Sequence, residues 1–204
     1  MSSATNTSVL SMPAAHARLA RIVLPALAGS LFMAIAAQIS IPVPFSPVPI
    51  TGQTLAVLLM GTVLGARAGG LAMLCYLGEG AAGLPVFAGG TGGLIVFAGP
   101  TAGYLVAFPL AAFVAGALVD RLGGRYAVVP TLLALLCADA LVFVGGVVWL
   151  AVYFHVGLPR AAELGLWPYV PGDLAKIVLV ALAFPSGRSL MNLTGWNLVR
   201  RGQI

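Results

Sequence analysis

The chain has 204 residues, of which 60% are hydrophobic and only 7% charged, with a mean hydropathy of +1.06. Soluble domains carry nearer a quarter charged residues, so the composition excludes that class and defines a polytopic membrane protein. The net charge of +5 is then no nucleic-acid footprint, because no basic groove with interleaved aromatics accompanies it. Cys75 and Cys137 lie in apolar runs without CxxC spacing or a nearby histidine, and read as small buried hydrophobes.

Residues 1–17 are Ser/Thr/Ala-rich and read as a mobile tail; 18–204 read as one six-helix membrane domain. Arg18 and Arg21 precede the apolar run Ile22–Ile39. Within it Ala26, Ser30 and Ala34 recur every four residues on one helical face. This small-xxx-small pattern lets membrane helices approach closely, and it serves internal packing as readily as a partner helix. Ile39–Thr51 holds four prolines and must be extended. Gln53–Leu64 is a short helix, Ala66–Gly70 a tight turn with Arg67, and Leu71–Gly80 a third helix.

The stretch Gly83–Tyr104, GLPVFAGGTGGLIVFAGPTAGY, has seven glycines, two prolines and no charge. Glycine costs about 1 kcal/mol and proline about 3 in a helix interior, so most of it is not regular helix. Yet Leu84, Val86, Phe87, Leu94, Ile95, Val96 and Phe97 are too apolar for a solvated loop. Such backbone is tolerated at membrane depth where it is buried in protein or lines a cavity, which predicts a pocket wall. Pro100–Leu122 forms a fourth span with Pro109 as a kink, and Tyr126–His155 a fifth. Gly157–Gly172 is a third irregular connection with Trp167 and Tyr169 at interface height. Asp173 opens the sixth span, and Leu190–Ile204 with Trp196 is an interfacial extension.

Six spans put both termini on one side. Arg18, Arg21, Arg67, Arg121, Arg125, Arg188, Arg200 and Arg201 fall at that face, with Arg160 and Lys176 at the other, so the positive-inside rule makes both termini cytoplasmic. The three irregular apolar connections then share the outer face, where short spans beside non-helical loops point to a binding site.

Ionisable groups within a membrane are costly and usually functional. Asp173 and Lys176, three apart, share a helix face; they form either a mutually neutralising structural pair or an acceptor and a donor for a polar ligand. Asp139, mid-span, reads as a core acid or as a partner of Lys176. Glu79 reads as an interfacial charge beside the glycine-rich loop. Gln53 contacts either a ligand or loop backbone, and Tyr104 lines the pocket or sits at the interface. Gly89-Gly90-Thr91-Gly92-Gly93 lacks the lysine and spacing of a phosphate loop. No Ser/His/Asp or metal-ligand cluster occurs, and His16 and His155 are predicted on opposite membrane faces. The sequence carries no enzymatic signature and implies neither a metal nor a cofactor.

GLPVFAGGTGG, GPTAGYL and PGDLAK, in that order and with the upstream PVPITGQTL, resemble the biotin-specific substrate-binding subunit (the BioY family) of energy-coupling-factor transporters. The resemblance covers about Ala26 to Arg188. It implies a prokaryotic cell-membrane protein that captures biotin from outside. A transmembrane coupling subunit and two ATP-binding-cassette ATPases then drive release inward. It also implies docking of the coupling subunit through the first helix at Ala26, Ser30 and Ala34, and ligand contacts over Phe87 to Gly93, with Gly89 and Gly90 offering backbone N–H groups. Asp173 and Lys176 suit the ureido ring, and Phe45, Val86, Phe87 and Tyr104 suit the apolar parts of biotin. Gln53, loop amides or Lys176 remain open as partners of its carboxylate. The competing reading is a self-sufficient secondary transporter or channel for a vitamin-like solute. Such proteins more often show coupling-ion acids or duplicated halves, and no internal repeat is present.

Overall fold

In a computed structural model, the backbone is described over residues 14–122 and 128–193, and side chains over 22–122 and 128–182. Helix α1 spans Ala14–Gln38, so the last four residues of the predicted tail, 14–17, are helical. The two-residue strands β1 (Ser40–Ile41) and β2 (Ile50–Thr51) pair antiparallel around the proline-rich loop. Helix α2 (Gln53–Leu64) matches its predicted bounds. Helix α3 runs Ala66–Ala81, so Ala66–Gly70 is helix and not the predicted turn. The reversal falls on Gly65 alone, whose φ of 85° lies where a Cβ would be strained; one such residue suffices to end α2 and start α3.

Two short 3₁₀ turns, Ala88–Gly90 and Leu94–Ala98, occupy the glycine-rich stretch, as its helix-breaking composition requires. Helices α4 (Ala102–Arg121) and α5 (Val128–Phe154) follow, with Pro109 inside α4. The third connection differs from expectation: Leu158–Gly165 is an amphipathic helix, α6, and α7 begins at Val170 and runs to Leu193. Pro159 at its start suits a first helical turn, so proline there is a helix opener and not a breaker.

Among the described residues, α4 and α5 are long and apolar enough to cross a bilayer, and α6 with α7 through Leu182 passes the same test as one span bent by 58°. Helix α2, at 12 residues, is about 18 Å long and falls short of a hydrocarbon core of about 30 Å. Exposed Leu24, Leu31, Ile35, Val106, Val144 and Leu179 give the helices the apolar outer surface that a bilayer favours. Of the predicted positive face, Arg18, Arg21, Arg125, Arg188, Arg200 and Arg201, with Trp196, lie outside the described side chains. Arg67 and Arg121 are both exposed at the end where α2 turns into α3.

Glycine sets how closely the helices pack. A Cβ at Gly61 would lie 2.3 Å from the Ala112 carbonyl oxygen, and one at Gly116 would lie 2.4 Å from the Ala66 nitrogen. Helices α2, α3 and α4 thus touch backbone to backbone. Apolar lipid provides no hydrophobic drive between helices, so such close van der Waals packing carries the association. The α1 stripe works the same way. Ala26 and Ser30 are fully buried, and a Cβ at Gly29 between them would meet Ala72 at 2.8 Å. Its small residues are therefore used inside the chain against α3, with Ala34 alone half-exposed.

Gly61→Ala and Gly116→Ala are each expected to lower stability in detergent by about 1–3 kcal/mol through overpacking, read as a lower thermal-unfolding midpoint. Gly78→Ala is the control: its Cβ would meet nothing within 4 Å, and alanine gains about 1 kcal/mol of helix propensity, so the midpoint should hold or rise.

Candidate ligand site

The three connections meet at one cavity of about 280 Å³, near the lower end of the usual range for small-ligand pockets. The proline loop contributes Pro47, Val48, Pro49 and Thr51, and the glycine-rich stretch Phe87, Ala88, Thr91 and Val96. Tyr169 comes from the turn before α7. Helices close the remainder, with Gln53 and Thr54 from α2, Tyr104, Leu105 and Phe108 from α4, Val142 and Phe143 from α5, and Asp173 and Lys176 from α7.

The polar floor is a hydrogen-bonded triad. Lys176 Nζ donates to Asp173 Oδ1 at 2.5 Å and to Thr54 Oγ1 at 2.8 Å, while Thr54 Oγ1 donates to the same carboxylate oxygen at 2.9 Å. The side chains of Asp173 and Lys176 are 6% and 19% exposed. Asp173 lies in the first turn of α7, where the helix dipole favours an anion and opposes the cation that follows. Thr54 and Asp173 together supply Lys176 with the partners that offset that opposition. A buried pair repays its desolvation only with such supplementary hydrogen bonds.

Around the triad the walls are held from behind. Gln53 Nε2 donates to the Tyr76 hydroxyl at 2.8 Å. Tyr76 meets Phe87 edge to face at 5.3 Å, and Phe87 meets Phe97 likewise at 5.6 Å. A Cβ at Gly80 would lie 2.1 Å from the Phe87 ring, so Phe87 fits only because the last turn of α3 carries glycine there. The Tyr104 hydroxyl donates to the Gly165 carbonyl at 2.7 Å, with Gly146 leaving room for its ring. Ser46 Oγ donates to the Leu164 carbonyl at 2.6 Å and the Tyr169 hydroxyl to the Val48 carbonyl, pinning the first connection to the third. The Trp149 indole N–H holds the end of the second at the Gly99 carbonyl, 2.8 Å away.

Of the predicted contacts, Gln53, Phe87, Tyr104, Asp173 and Lys176 line the cavity. Phe45 does not: it lies at the tip of the proline loop, 59% exposed. Val86 packs into the core behind the wall. Gly89 and Gly90, both at φ 70°, make the turn itself, and Ala88 and Thr91 on either side reach the cavity instead. Tyr169 is buried in the wall and not at an interface. Glu79 accepts the Ser30 hydroxyl proton at 2.7 Å, a tie between α3 and α1. Thr54 escaped sequence reasoning, although its place directly after Gln53 in PVPITGQTL was a usable signal. Among the described residues no cluster fit to hold a metal ion occurs.

A mostly apolar cavity with a compact hydrogen-bonded polar triad, in a bundle of apolar helices, defines a membrane protein built to enclose a small molecule. The model of the BioY family matches residues 6–192, and the chain belongs to that family. It is 40% identical to the biotin transporter BioY of Rhizobium etli over 83% of this chain and 92% of the relative. It is 41% identical to the probable biotin transporter BioY of Pyrococcus horikoshii over 72% and 85% respectively. The fold is similar, with a TM-score of 0.77 and 26% identity, to the crystal structure of the S-component for biotin from an ECF-type ABC transporter, covering 85% of this chain and 93% of that one.

Tyr104→Phe leaves the buried Gly165 carbonyl without its donor, which should cost about 1–3 kcal/mol and appear as a lower thermal-unfolding midpoint in detergent.

Proposed function

We propose that this protein captures biotin as the substrate-specific membrane subunit of an energy-coupling-factor transporter. One observation carries the reading: three apolar connections, two of them irregular and the third built around α6, enclose a vitamin-sized cavity around the Thr54–Asp173–Lys176 triad. The ureido ring has two N–H donors and a carbonyl acceptor, which match a carboxylate beside an ammonium. The fused rings and alkyl chain match Val48, Phe87, Tyr104, Phe108 and Phe143 on the walls. The relatives' names and the matched S-component support the same ligand.

In this reading the chain crosses the prokaryotic cell membrane six times, both termini are cytoplasmic, and the cavity opens to the outside. Exposed Arg67 and Arg121 support that orientation, since they sit at the end away from the cavity. Energy comes from a transmembrane coupling subunit and two ATP-binding-cassette ATPases, because the glycine-rich stretch has no phosphate-loop lysine. The coupling subunit docks along the first helix, where Ala34 reaches the surface.

Labelled biotin should bind the detergent-purified chain tightly without ATP and raise its thermal midpoint; if it does neither, the ligand assignment is wrong. Asp173→Ala, Lys176→Ala and Thr54→Val should each weaken binding by roughly tenfold or more, about 1.4 kcal/mol, in protein that still folds. Phe45→Ala should leave affinity within about a factor of two.

A further inference from the structure

Two residues of the cavity wall are held by a side chain that does not itself reach the cavity. Tyr76, on α3, is fully buried and stands behind the lining residues. Its hydroxyl lies 2.8 Å from Gln53 Nε2, and its ring meets Phe87 edge to face at 5.3 Å. Gln53 and Phe87 both line the cavity. Gln53 is only 6% exposed, so its amide has few places to turn. Among the described residues, the one fully enclosed side-chain oxygen or nitrogen without a partner is Asp139 Oδ1. Gln53 Oε1, which bonds to no described residue, therefore opens on the cavity.

While Nε2 donates to Tyr76, the tyrosine's own proton has no acceptor, because Gln53 is the single hydrogen-bond partner of Tyr76 among the described residues. A buried donor left unmade is costly. A half-turn of the amide exchanges its oxygen and nitrogen in nearly the same space. The Tyr76 O–H then donates to Oε1, the stranded proton is satisfied, and the NH2 group faces the cavity. A hydroxyl serves either orientation, because it accepts from nitrogen in one and donates to oxygen in the other. We propose that Tyr76 is a positioning residue for the ligand, whose hydroxyl turns the Gln53 amide so that its NH2 group meets a hydrogen-bond acceptor of the bound molecule. The role rests on the function proposed above. An acceptor on the ligand is repelled by Oε1 and attracted by the NH2 group, so the ligand and the tyrosine proton favour the same turn.

The surroundings fix both partners well enough for this to matter. Gln53 opens α2, and its backbone N–H donates to Thr51 Oγ1 at 3.3 Å. The next residue, Thr54, reaches α7 and the triad, while Gln53 reaches α3. Neighbouring residues of one helical turn thus serve two different walls. The Tyr76 ring is locked in turn by Phe87, which is 1% exposed and packs on Phe97. The hydroxyl therefore has no freedom to follow the amide, and the amide must adjust to the hydroxyl.

A double-mutant cycle on the affinity of the detergent-purified chain for labelled biotin tests the role, with ligand-free thermal midpoints confirming that each variant is folded. Tyr76→Phe deletes the hydroxyl and keeps the ring on Phe87; it should weaken binding roughly tenfold. Gln53→Met, an unbranched replacement without the amide, should weaken it by a similar factor. The double variant should be within about twofold of the weaker single variant, because both changes remove one and the same contact. Unchanged affinity in Tyr76→Phe overturns the inference. So does an additive, roughly hundredfold, loss in the double variant, which is what two independent packing defects produce. Gln53→Glu supplies the direction of the amide: it keeps an oxygen for the Tyr76 proton and lacks the NH2 group, so it should also lose roughly tenfold or more. Affinity equal to wild type in that variant overturns the inference. Wild type that fails to bind biotin refutes the function proposed above and this role with it; wild type that binds, with an intact Tyr76→Phe, refutes the role alone.

Discussion

The site is organised by a desolvated ion pair that cannot stand without a third partner. Lys176 is placed near the start of a helix, where the dipole repels it, and in a cavity wall, where water is scarce. It is held because Asp173 occupies the preceding turn and Thr54 reaches across from α2, donating to the carboxylate and accepting from the ammonium. Removing one member of such an arrangement leaves a buried charge uncompensated, a loss of about 3–5 kcal/mol for a buried pair. That constraint ties α2 to α7, fixes the register between them, and leaves a donor and an acceptor side by side facing an otherwise apolar space.

The rest of the bundle makes that juxtaposition possible by letting backbones come unusually close. Gly61, Gly69 and Gly116 bring α2, α3 and α4 into direct contact, and Gly103 and Gly145 do the same for α4 and α5. With so little volume between helices, the space for a guest is confined to the end where the connections lie. There the same residue type has a different use: Gly80, Gly146 and Gly165 clear room for the rings of Phe87 and Tyr104. The wall is thus packed by wedged aromatics and not by regular backbone.

The connections themselves answer a problem of backbone satisfaction. Proline and glycine deny the first two of these segments a regular helical ladder, and an apolar setting denies them water. Their polar groups are met by one another and by neighbouring side chains: Ser46 with Leu164, Tyr169 with Val48, Trp149 with Gly99 and Tyr104 with Gly165. Each of these ties joins one connection to another or to a helix, so closing the cavity and satisfying the backbone are the same event. A bulky or polar change in any one connection is expected to be felt by the other two.

Much of this was legible in the chain. Low charge and high hydropathy defined a helical membrane protein, and proline and glycine content located two of the irregular connections. The resemblance carried by GLPVFAGGTGG, GPTAGYL and PGDLAK implied Phe87, Tyr104, Asp173 and Lys176 for the site, beyond what composition alone offered. Local composition reaches that far because helix propensity and charge are properties of single residues and their near neighbours. It could not place Phe45 outside the cavity, turn Gly89 and Gly90 away from it, or convert Leu158–Gly165 into a helix, since loop orientation and a proline's role depend on what the segment packs against. Nor could it pair Thr54 with residues about 120 positions later or spend Ala26 and Ser30 on α3. Those juxtapositions arise only when glycine contacts bring distant helices to within a backbone's width, and the tertiary structure alone decided them.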